Sequence, residues 1–359
     1  MSHTPSRQEI GSIASWMIET SLRRGARMAD VLFYSGSSSE FSLRDGSPER
    51  DIRGSSFRIG CRTVDVQGRQ GVADTDNLSK DAIGKLIDVC LQNCRASEPE
   101  PDVVLYDGEV PDASGLMIFD PGILEVQHPE RQERCRQMYE LASGTDSRVV
   151  SVRDTSWADG SGSTMYASSE GFLGWYDDTY AACSVTVVMS DGGAFEMTGA
   201  SAESRRIGDV DHSAVAREAV ERGTLILGGE AAATGVYDVV LDPEAAASLV
   251  ESAGELFLAS AVFKNRSMLK NRMGDKIGSD CLTLVDDGTI PWGVGTSPWD
   301  GEGVPSGRTV LMDHGVVSSF LHNLKYARKF KVASTGNTSR SPGSIPGVGF
   351  SNLFVVPGE

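Results

Sequence analysis

Two amphipathic helices bracket a set of short strand-type runs in the first hundred residues, and this order restricts the fold more than any other feature of the chain. Ile10, Ile13, Ala14, Met17, Ile18 and Leu22 recur at helical spacing behind Pro5 and Ser6, and Gly25 supplies a stop. Strand-type runs follow at 29–34 and 40–44, the second turning at Asp45-Gly46, a strong hairpin pair. Runs at 57–66 and 70–74 are joined by the Gly68-Arg69 turn. Asn77 or Ser79 then caps a second helix carrying Ile83, Leu86, Ile87, Cys90 and Leu91. Helix, antiparallel strands, helix is an α+β arrangement.

The acid- and proline-rich stretch 97–102 reads as a surface linker. Residues 120–141 look helical, and 147–200 reads as a β-meander. Its strand candidates are 149–158, 163–168, 172–179, 183–190 and 194–201, with turns at Gly160, Gly171 and Asp191-Gly192-Gly193. A helix at 212–223 and a strand at 237–241 follow. Asp242-Pro243-Glu244 then opens a long helix running to about Phe263. Everything after Gly274 is Gly-punctuated strand. The pattern predicts an N-terminal α+β domain over 1–110 and a middle helix and β-meander region over 111–223. A C-terminal β-rich domain over 224–359 holds the helix 243–263. A length of 359 residues suits two domains.

Lys plus Arg number 33 and Asp plus Glu 50, a net charge of −17. That balance argues against broad phosphate-backbone binding and against docking on anionic membranes, so neither nucleic acid nor membrane is expected as a partner. A basic peptide or protein surface is tolerated. The longest uncharged run, 341–358, contains Pro342, Pro346 and Pro357 and cannot be one bilayer-spanning helix. The first residues lack the apolar core of a signal peptide, so the cytoplasm is expected. The six cysteines form no C-x-x-C pair, and Cys90 and Cys94, four apart on a helix, read as buried apolar positions rather than a metal or redox pair.

Common catalytic signatures are missing: no phosphate-binding G-x-x-x-x-G-K-[ST], no extended G-x-G-x-x-G, no G-x-S-x-G elbow. None of His3, His128, His212, His314 and His322 is followed by Glu, and no two lie three or four apart. His314, in Asp313-His314-Gly315, reads as a solvated turn residue, and general acid–base use of it or of His322 would need a positioned neighbour. Asp286-Asp287-Gly288 and Asp300-Gly301-Glu302-Gly303 read either as carboxylates for a cation or, preferably, as tight turns in which Asp bonds its own backbone.

An ordered series of short motifs runs through the C-terminal half. It comprises Phe263 to Asp275 (FKNRSMLKNRMGD), Cys281 to Gly288 (CLTLVDDG), Pro298 to Val304 (PWDGEGV) and Val310 to Val317 (VLMDHGVV). Ala327-Arg328-Lys329-Phe330, Ser334-Thr335-Gly336-Asn337 and Asn352 to Gly358 (NLFVVPG) complete it. In the N-terminal half Arg44-Asp45-Gly46 and Gly68-Arg69-Gln70-Gly71 precede the Ser79-capped helix. The series resembles the TldD/PmbA (TldD/TldE) family, once described as modulators of DNA gyrase, over nearly the whole chain. The resemblance implies a two-domain α+β protein working in a heterodimeric metallopeptidase. In that assembly a TldD-type subunit binds zinc through a helical H-E-x-x-x-H motif, and a TldE- or PmbA-type subunit lacks the motif. Such pairs cleave peptides, including leader peptides of modified antibacterial peptides, inside an enclosed chamber, and relatives in natural-product clusters act on peptide-like substrates.

Counted back from Ser267 and Gly274, the family's metal helix falls at 249–256, where Val250 and Glu255 stand at the two histidine positions and Glu251 at that of the catalytic glutamate. Without imidazoles the carboxylates make a poor zinc site. The resemblance is thus to the TldE-type subunit, with no metal in this chain, zinc expected on a TldD-type partner, and Glu251 at most a vestigial catalytic position. The other reading of Glu251 and Glu255 is the polar stripe of an amphipathic helix. For lining the substrate chamber the candidates are Ser334, Thr335, Gly336 and Asn337, with Asp300 and Glu302, against the reading of each loop as a structural turn. Family chains continue beyond the Asn352 to Gly358 segment: either the sequence is a piece of a longer chain, or the gene is short, or the subunit is reduced to a scaffold, and if the short form is natural an exposed edge of the C-terminal sheet, for a partner to cover, is expected. The alternative function is a stand-alone peptide-binding or maturation factor without protease activity. A metal-independent enzyme of a biosynthetic cluster ranks last, because no nucleophile–base pair is visible.

Overall fold

The computed structural model describes residues 5–358. Helix α1 (Arg7–Arg23) starts at Ser6, whose Oγ accepts the Glu9 N–H, and it buries Ile10, Ala14 and Met17. Strands β1 (Met28–Arg44), β2 (Ser47–Val64) and β3 (Gln70–Thr75) follow, then α2 (Lys80–Ala96), capped by Ser79 on the Ala82 N–H. After the linker come α3 (Gly122–Glu125), α4 (His128–Thr145), β4 (Val149–Ser168), β5 (Leu173–Ser190), β6 (Phe195–Ser204) and α5 (His212–Ile226). All six strands form one antiparallel sheet in the order β3-β2-β1-β4-β5-β6. The early strands and the meander are therefore two halves of one sheet, joined where β1 pairs with β4.

Alternate side chains of β1 face the helices. At one end Val31 and Phe33 share a core with Met17, Ile83 and Ile87; at the other Phe41 and Leu43 share a core with Met138, Trp157 and Val220. Between the two helix pairs the same face carries Ser35 and Ser37, which with Ser55, Ser161 and Ser163 line a hollow of about 420 Å³.

The strands are longer than their apolar runs. The expected strands 29–34 and 40–44 are one, as are 149–158 with 163–168 and 172–179 with 183–190. Gly160 does not turn; it pairs with Ser38 and Tyr180, and a Cβ there would lie 2.3 Å from the Ser37 carbonyl. Pairing on both sides satisfies the backbone whatever the side chain, so Ser- and Gly-rich stretches are carried through as strand. The Asp45-Gly46 turn does form, with φ of 47° and 76°, as a two-residue hairpin loop demands.

The C-terminal lobe contains α6 (Pro243–Gly254), α7 (Ala259–Phe263), β7 (Leu284–Asp287), β8 (Arg308–Asp313), β9 (Val316–Val317), α8 (Leu324–Phe330), β10 (Thr338–Ser339), β11 (Gly347–Val348) and β12 (Leu353–Val355). Its antiparallel sheet runs β12-β7-β8-β9 over a core of Phe257, Val262, Leu311, Phe320 and Leu321. The helix expected over 243–263 is divided. Leu258 is extended because the Phe257 carbonyl and the Ala259 N–H bond across to Leu321, and those bonds replace the helical ones. The strand expected at 237–241 does not form: among the described residues no strand lies beside it. Helix α8, not foreseen, begins at Asn323, whose Oδ1 accepts the Tyr326 N–H, and ends at Lys331 in the left-handed region. Among the described residues no helix is long and apolar enough to cross a membrane.

Candidate functional site

The large sheet and the C-terminal lobe meet over β1, β4 and β5 and leave a cleft of about 460 Å³ between them. Its floor is the sheet face turned away from the helices, where Leu32 and Tyr34, Thr164, and Tyr176 and Asp178 project at two-residue spacing. The facing wall comes from the loops 297–301 and 338–342. Buried Trp299 anchors that wall, its ring meeting Phe172 and Tyr176 edge-on at 5.4 and 5.2 Å. Arg205, one residue past β6, donates to the carbonyls of Gly293, Val294 and Thr296 and pairs with Asp178 at 3.3 Å. The loop is thereby tied to the sheet. Burial, reinforced by Asp178, raises the Tyr34 phenol above its ordinary value, so at neutral pH it keeps its proton and can donate a hydrogen bond. Aromatic faces, hydroxyls and one carboxylate paired with Arg205 suit holding and orienting a ligand with both apolar and hydrogen-bonding groups.

A buried ion cluster fixes the two walls. Arg62 of β2 donates from Nε and Nη2 to Asp30 Oδ2, at 2.8 and 2.5 Å, and from Nη1 to Gln70 Oε1 and Glu302 Oε1 at 3.1 and 3.2 Å. Arg340 Nη2 lies 2.8 Å from Asp30 Oδ1, and the Tyr166 hydroxyl donates to Asp30 Oδ2. Burial opposes the charges, but the two guanidiniums hold Asp30 below its ordinary value, and Asp30 and Glu302 hold Arg62 above its own. Lys325 and Lys329 of α8 add a partly buried clasp to Glu100 and Asp102 of the linker.

The structure brings Asp300 and Glu302 together at this junction. Asp300 Oδ1 accepts the Glu302 and Val304 N–H groups and Oδ2 accepts that of Thr338, while Gly303 takes a φ of 84° to close the turn. Burial, with Glu302 beyond it, pushes the Asp300 carboxyl up to about 7 against those donors. Glu302 Oε2 accepts the Thr338 hydroxyl and the Leu324 N–H. Asp300 touches the cleft; Glu302 is turned to Arg62 behind it. Ser334, Thr335, Gly336 and Asn337 lie elsewhere in the lobe. The Ser334 and Thr335 hydroxyls donate to the His322 carbonyl, the Gly336 N–H donates to Ser334 Oγ, and Asn337 Nδ2 donates to Asp286 Oδ2. Asp286 also accepts from the Ser351 N–H and hydroxyl. Tyr34, Tyr176, Asp178 and Arg205 were not singled out from the sequence. The signal available was the two-residue spacing of Tyr176, Asp178 and Tyr180 on one strand face.

The residues at the family's metal position do not fit zinc. Helix α6 carries Val250 and Glu251, and Glu255 follows it; both carboxylates are exposed and neither is accompanied by an imidazole. Among the described residues no three His, Cys, Asp or Glu side chains converge. His322 is buried against Phe330, and burial lowers its pKa to about 4, whereas His314 is an exposed turn residue at a φ of 45°. Cys90 and Cys94 are buried and donate to the Cys61 and Arg69 carbonyls, which removes them from thiolate chemistry.

Fold and cleft together define a two-lobed α+β scaffold, in which a six-stranded sheet supports a smaller β-rich lobe. The chain belongs to the PmbA/TldD family: residues 29–94 match PmbA/TldA metallopeptidase domain 1, residues 121–225 the central domain and residues 234–359 the C-terminal domain. It is 27% identical over 338 residues to a metalloprotease of Methanocaldococcus jannaschii, covering 92% of this chain and 74% of that one. A crystal structure from Bacteroides thetaiotaomicron, described as a modulator of DNA gyrase, superposes with a TM-score of 0.85 at 26% identity, over 98% of this chain and 78% of that one. TldE of Thermococcus kodakarensis shares the fold, with a TM-score of 0.82 at 19% identity over 97% and 78% of the two chains.

Proposed function

We propose that this chain is the TldE-type, non-metal subunit of a TldD/TldE-type metallopeptidase that processes peptides or peptide-like natural-product precursors. Its work is to form one wall of the substrate chamber and to hold an extended peptide for a companion chain of the TldD type, which brings H-E-x-x-x-H and its zinc. The observation that carries this reading is the pairing of the cleft with a helix α6, and the turn that follows it, that have Val250 and Glu255 where the family's metal subunit has histidines. No bond-breaking step is assigned to this chain, because its α6 donor set does not suit the metal.

The test is to purify the chain alone and with a TldD-type companion, then measure zinc by elemental analysis and cleavage of a peptide panel by mass spectrometry. The reading expects zinc and cleavage only in the mixture. Stoichiometric zinc with robust hydrolysis by the lone chain would refute it. Peptide binding by a lone chain that ignores the companion would transfer the assignment to a stand-alone binding factor.

A further inference from the structure

The sheet face that floors the cleft runs on into a second hollow of about 270 Å³, built wholly from β1, β2, β4 and β5. Tyr34 and Asp178 line both spaces and so stand between them. Gly36, Gly54 and Gly162 make much of the second floor, and Tyr180 closes it on β5. Strand pairing puts Gly162 between Gly36 and Asp178 in one row of the sheet, and Gly160 between Ser38 and Tyr180 in the next. Those glycines let the neighbouring side chains lie down. A Cβ on Gly162 would fall 2.7 Å from Asp178 Oδ1 and 3.5 Å from Tyr34 Cε2. One on Gly36 would fall 3.1 Å from the Tyr34 hydroxyl, and one on Gly160 2.8 Å from Tyr180 Cε1. Two phenol rings thus lie low on the sheet beside one carboxylate, where glycine leaves room for a ligand to approach the backbone.

That carboxylate is short of donors. Arg205 Nη1 lies 3.3 Å from Asp178 Oδ2 without the alignment of a hydrogen bond, because Nε and Nη2 are directed at three backbone carbonyls. Among the described residues no other cation pairs with Asp178, whose side chain keeps 25% of its surface. Arg58, across from Tyr34 on β2, is paired with Asp74 instead. The chemistry of an occupant follows by comparison. A metal ion would find one carboxylate and no cluster of further ligands. An anion would meet Asp178 in a chain of net charge −17. A neutral apolar group would cover the carboxylate without donating to it. An ammonium or guanidinium can donate to Oδ1 and set its charge against the phenol rings.

We propose that this second hollow receives a positively charged group of the peptide held in the cleft, a Lys or Arg side chain or the amino terminus, with Asp178 as its counter-ion and Tyr34 and Tyr180 against it. The inference rests on the reading of the cleft as a peptide site and adds the class of residue that the site selects. Asp178, Tyr34 and Tyr180 determine specificity; none of them acts on the bond that breaks.

The probes are heptapeptides, Ala-Val-Thr-Xaa-Thr-Val-Ala, labelled with fluorescein at the carboxyl end. Xaa is Lys, Met or Glu with the amino end acetylated, and a fourth peptide has Met at Xaa and a free amino end. Anisotropy is read on the full chain, alone and with a TldD-type companion. The Lys peptide should bind about tenfold more tightly than the acetylated Met peptide, and the Glu peptide more weakly than either. A gain from the free amino end instead, lost in Asp178→Asn, would support the proposal with the amino terminus as the group bound. Asp178→Asn should bring the Lys and Met peptides within about twofold of each other by weakening the Lys peptide, and Asp178→Lys should transfer the preference to the Glu peptide. Tyr34→Leu, at a ring that is 46% exposed, should reduce the Lys preference about threefold with the fold intact. The proposal is overturned if Lys and a free amino end both add nothing, if the preference survives Asp178→Asn, or if no peptide binds below about 1 mM. Companion-dependent cleavage of the panel without regard to charge would sink this inference and leave the subunit assignment standing. An Asp178-dependent preference in a chain that no companion activates would do the reverse.

Discussion

Val187 and Val240 sit in segments of similar composition and meet opposite fates. Val187, in β5, pairs with Val152 on one side and Thr198 on the other and is fully buried; Val240 pairs with nothing among the described residues and is 99% exposed. Strand-type side chains permit a strand, but neighbours on either side create one. The converse holds in β1, where Ser35 to Ser39 have little strand preference and are strand nonetheless, because β2 and β4 flank them.

The contrast can be broken by mutation. Val187→Asp should cost more than about 4 kcal/mol and abolish cooperative urea unfolding, because a carboxylate enters a core of apolar side chains. A mild effect would mean that β5 is not the paired centre described here. Next in size, Arg62→Leu should cost about 3–5 kcal/mol by leaving Asp30 and Glu302 buried with less compensation, whereas Lys325→Ala, at the partly buried clasp, should cost less, about 1–2 kcal/mol. Equal losses from the two would remove the distinction between the junction's interior and its rim.

A pH series sharpens the picture within the C-terminal lobe. His322 has its pKa lowered to about 4 by burial, so the stability it contributes as a neutral ring is whole above 6.5 and is lost as the pH falls through 4. Asp300 behaves oppositely: its raised pKa, about 7, gives a contribution that is whole below 3.8 and lost as the pH rises through 7. Between pH 4 and 6.5 the two slopes oppose each other. His322→Leu should therefore unmask a fall in the urea midpoint from pH 4 to 7, with a slope of up to about 1.4 kcal/mol per pH unit. A variant whose midpoint still rises with pH would contradict the burial of one group or the other. The smallest effect is reserved for Val240→Asp, which should change stability by less than about 0.5 kcal/mol; a larger loss would show that 236–241 is already covered.

How much of this was legible in the sequence depended on distance along the chain. The Ser6 and Ser79 caps, the faces of α1 and α2 and the Asp45-Gly46 turn are set within a few residues and could be read directly. The continuity of β4 through Gly160 could not, since it is fixed by the Ser37 carbonyl more than a hundred residues earlier. Nor could the break at Leu258, which Leu321 imposes, or the naked state of 237–241, whose alternation looks the same with or without a neighbour. In the candidate site, Asp300 and Glu302 were visible as an acidic turn, but their junction with Arg62, Arg340 and Asp30 was not. The cleft floor was missed because Tyr34, Tyr176 and Asp178 come from strands that only the sheet order makes adjacent.

The Arg62–Glu302 contact spans 240 residues of sequence. On a ribosome adding about 5–20 residues per second, that interval lasts on the order of tens of seconds. Throughout it, Asp30 and Arg62 have each other, Gln70 and, once it is made, Tyr166, but neither Glu302 nor Arg340, and the sheet face that will receive the C-terminal lobe stays wet. The large sheet can form early in translation, but its final locked state waits for Glu302 and Arg340 to emerge, which makes the nascent chain a customer for whatever shields unfinished surfaces in the cell.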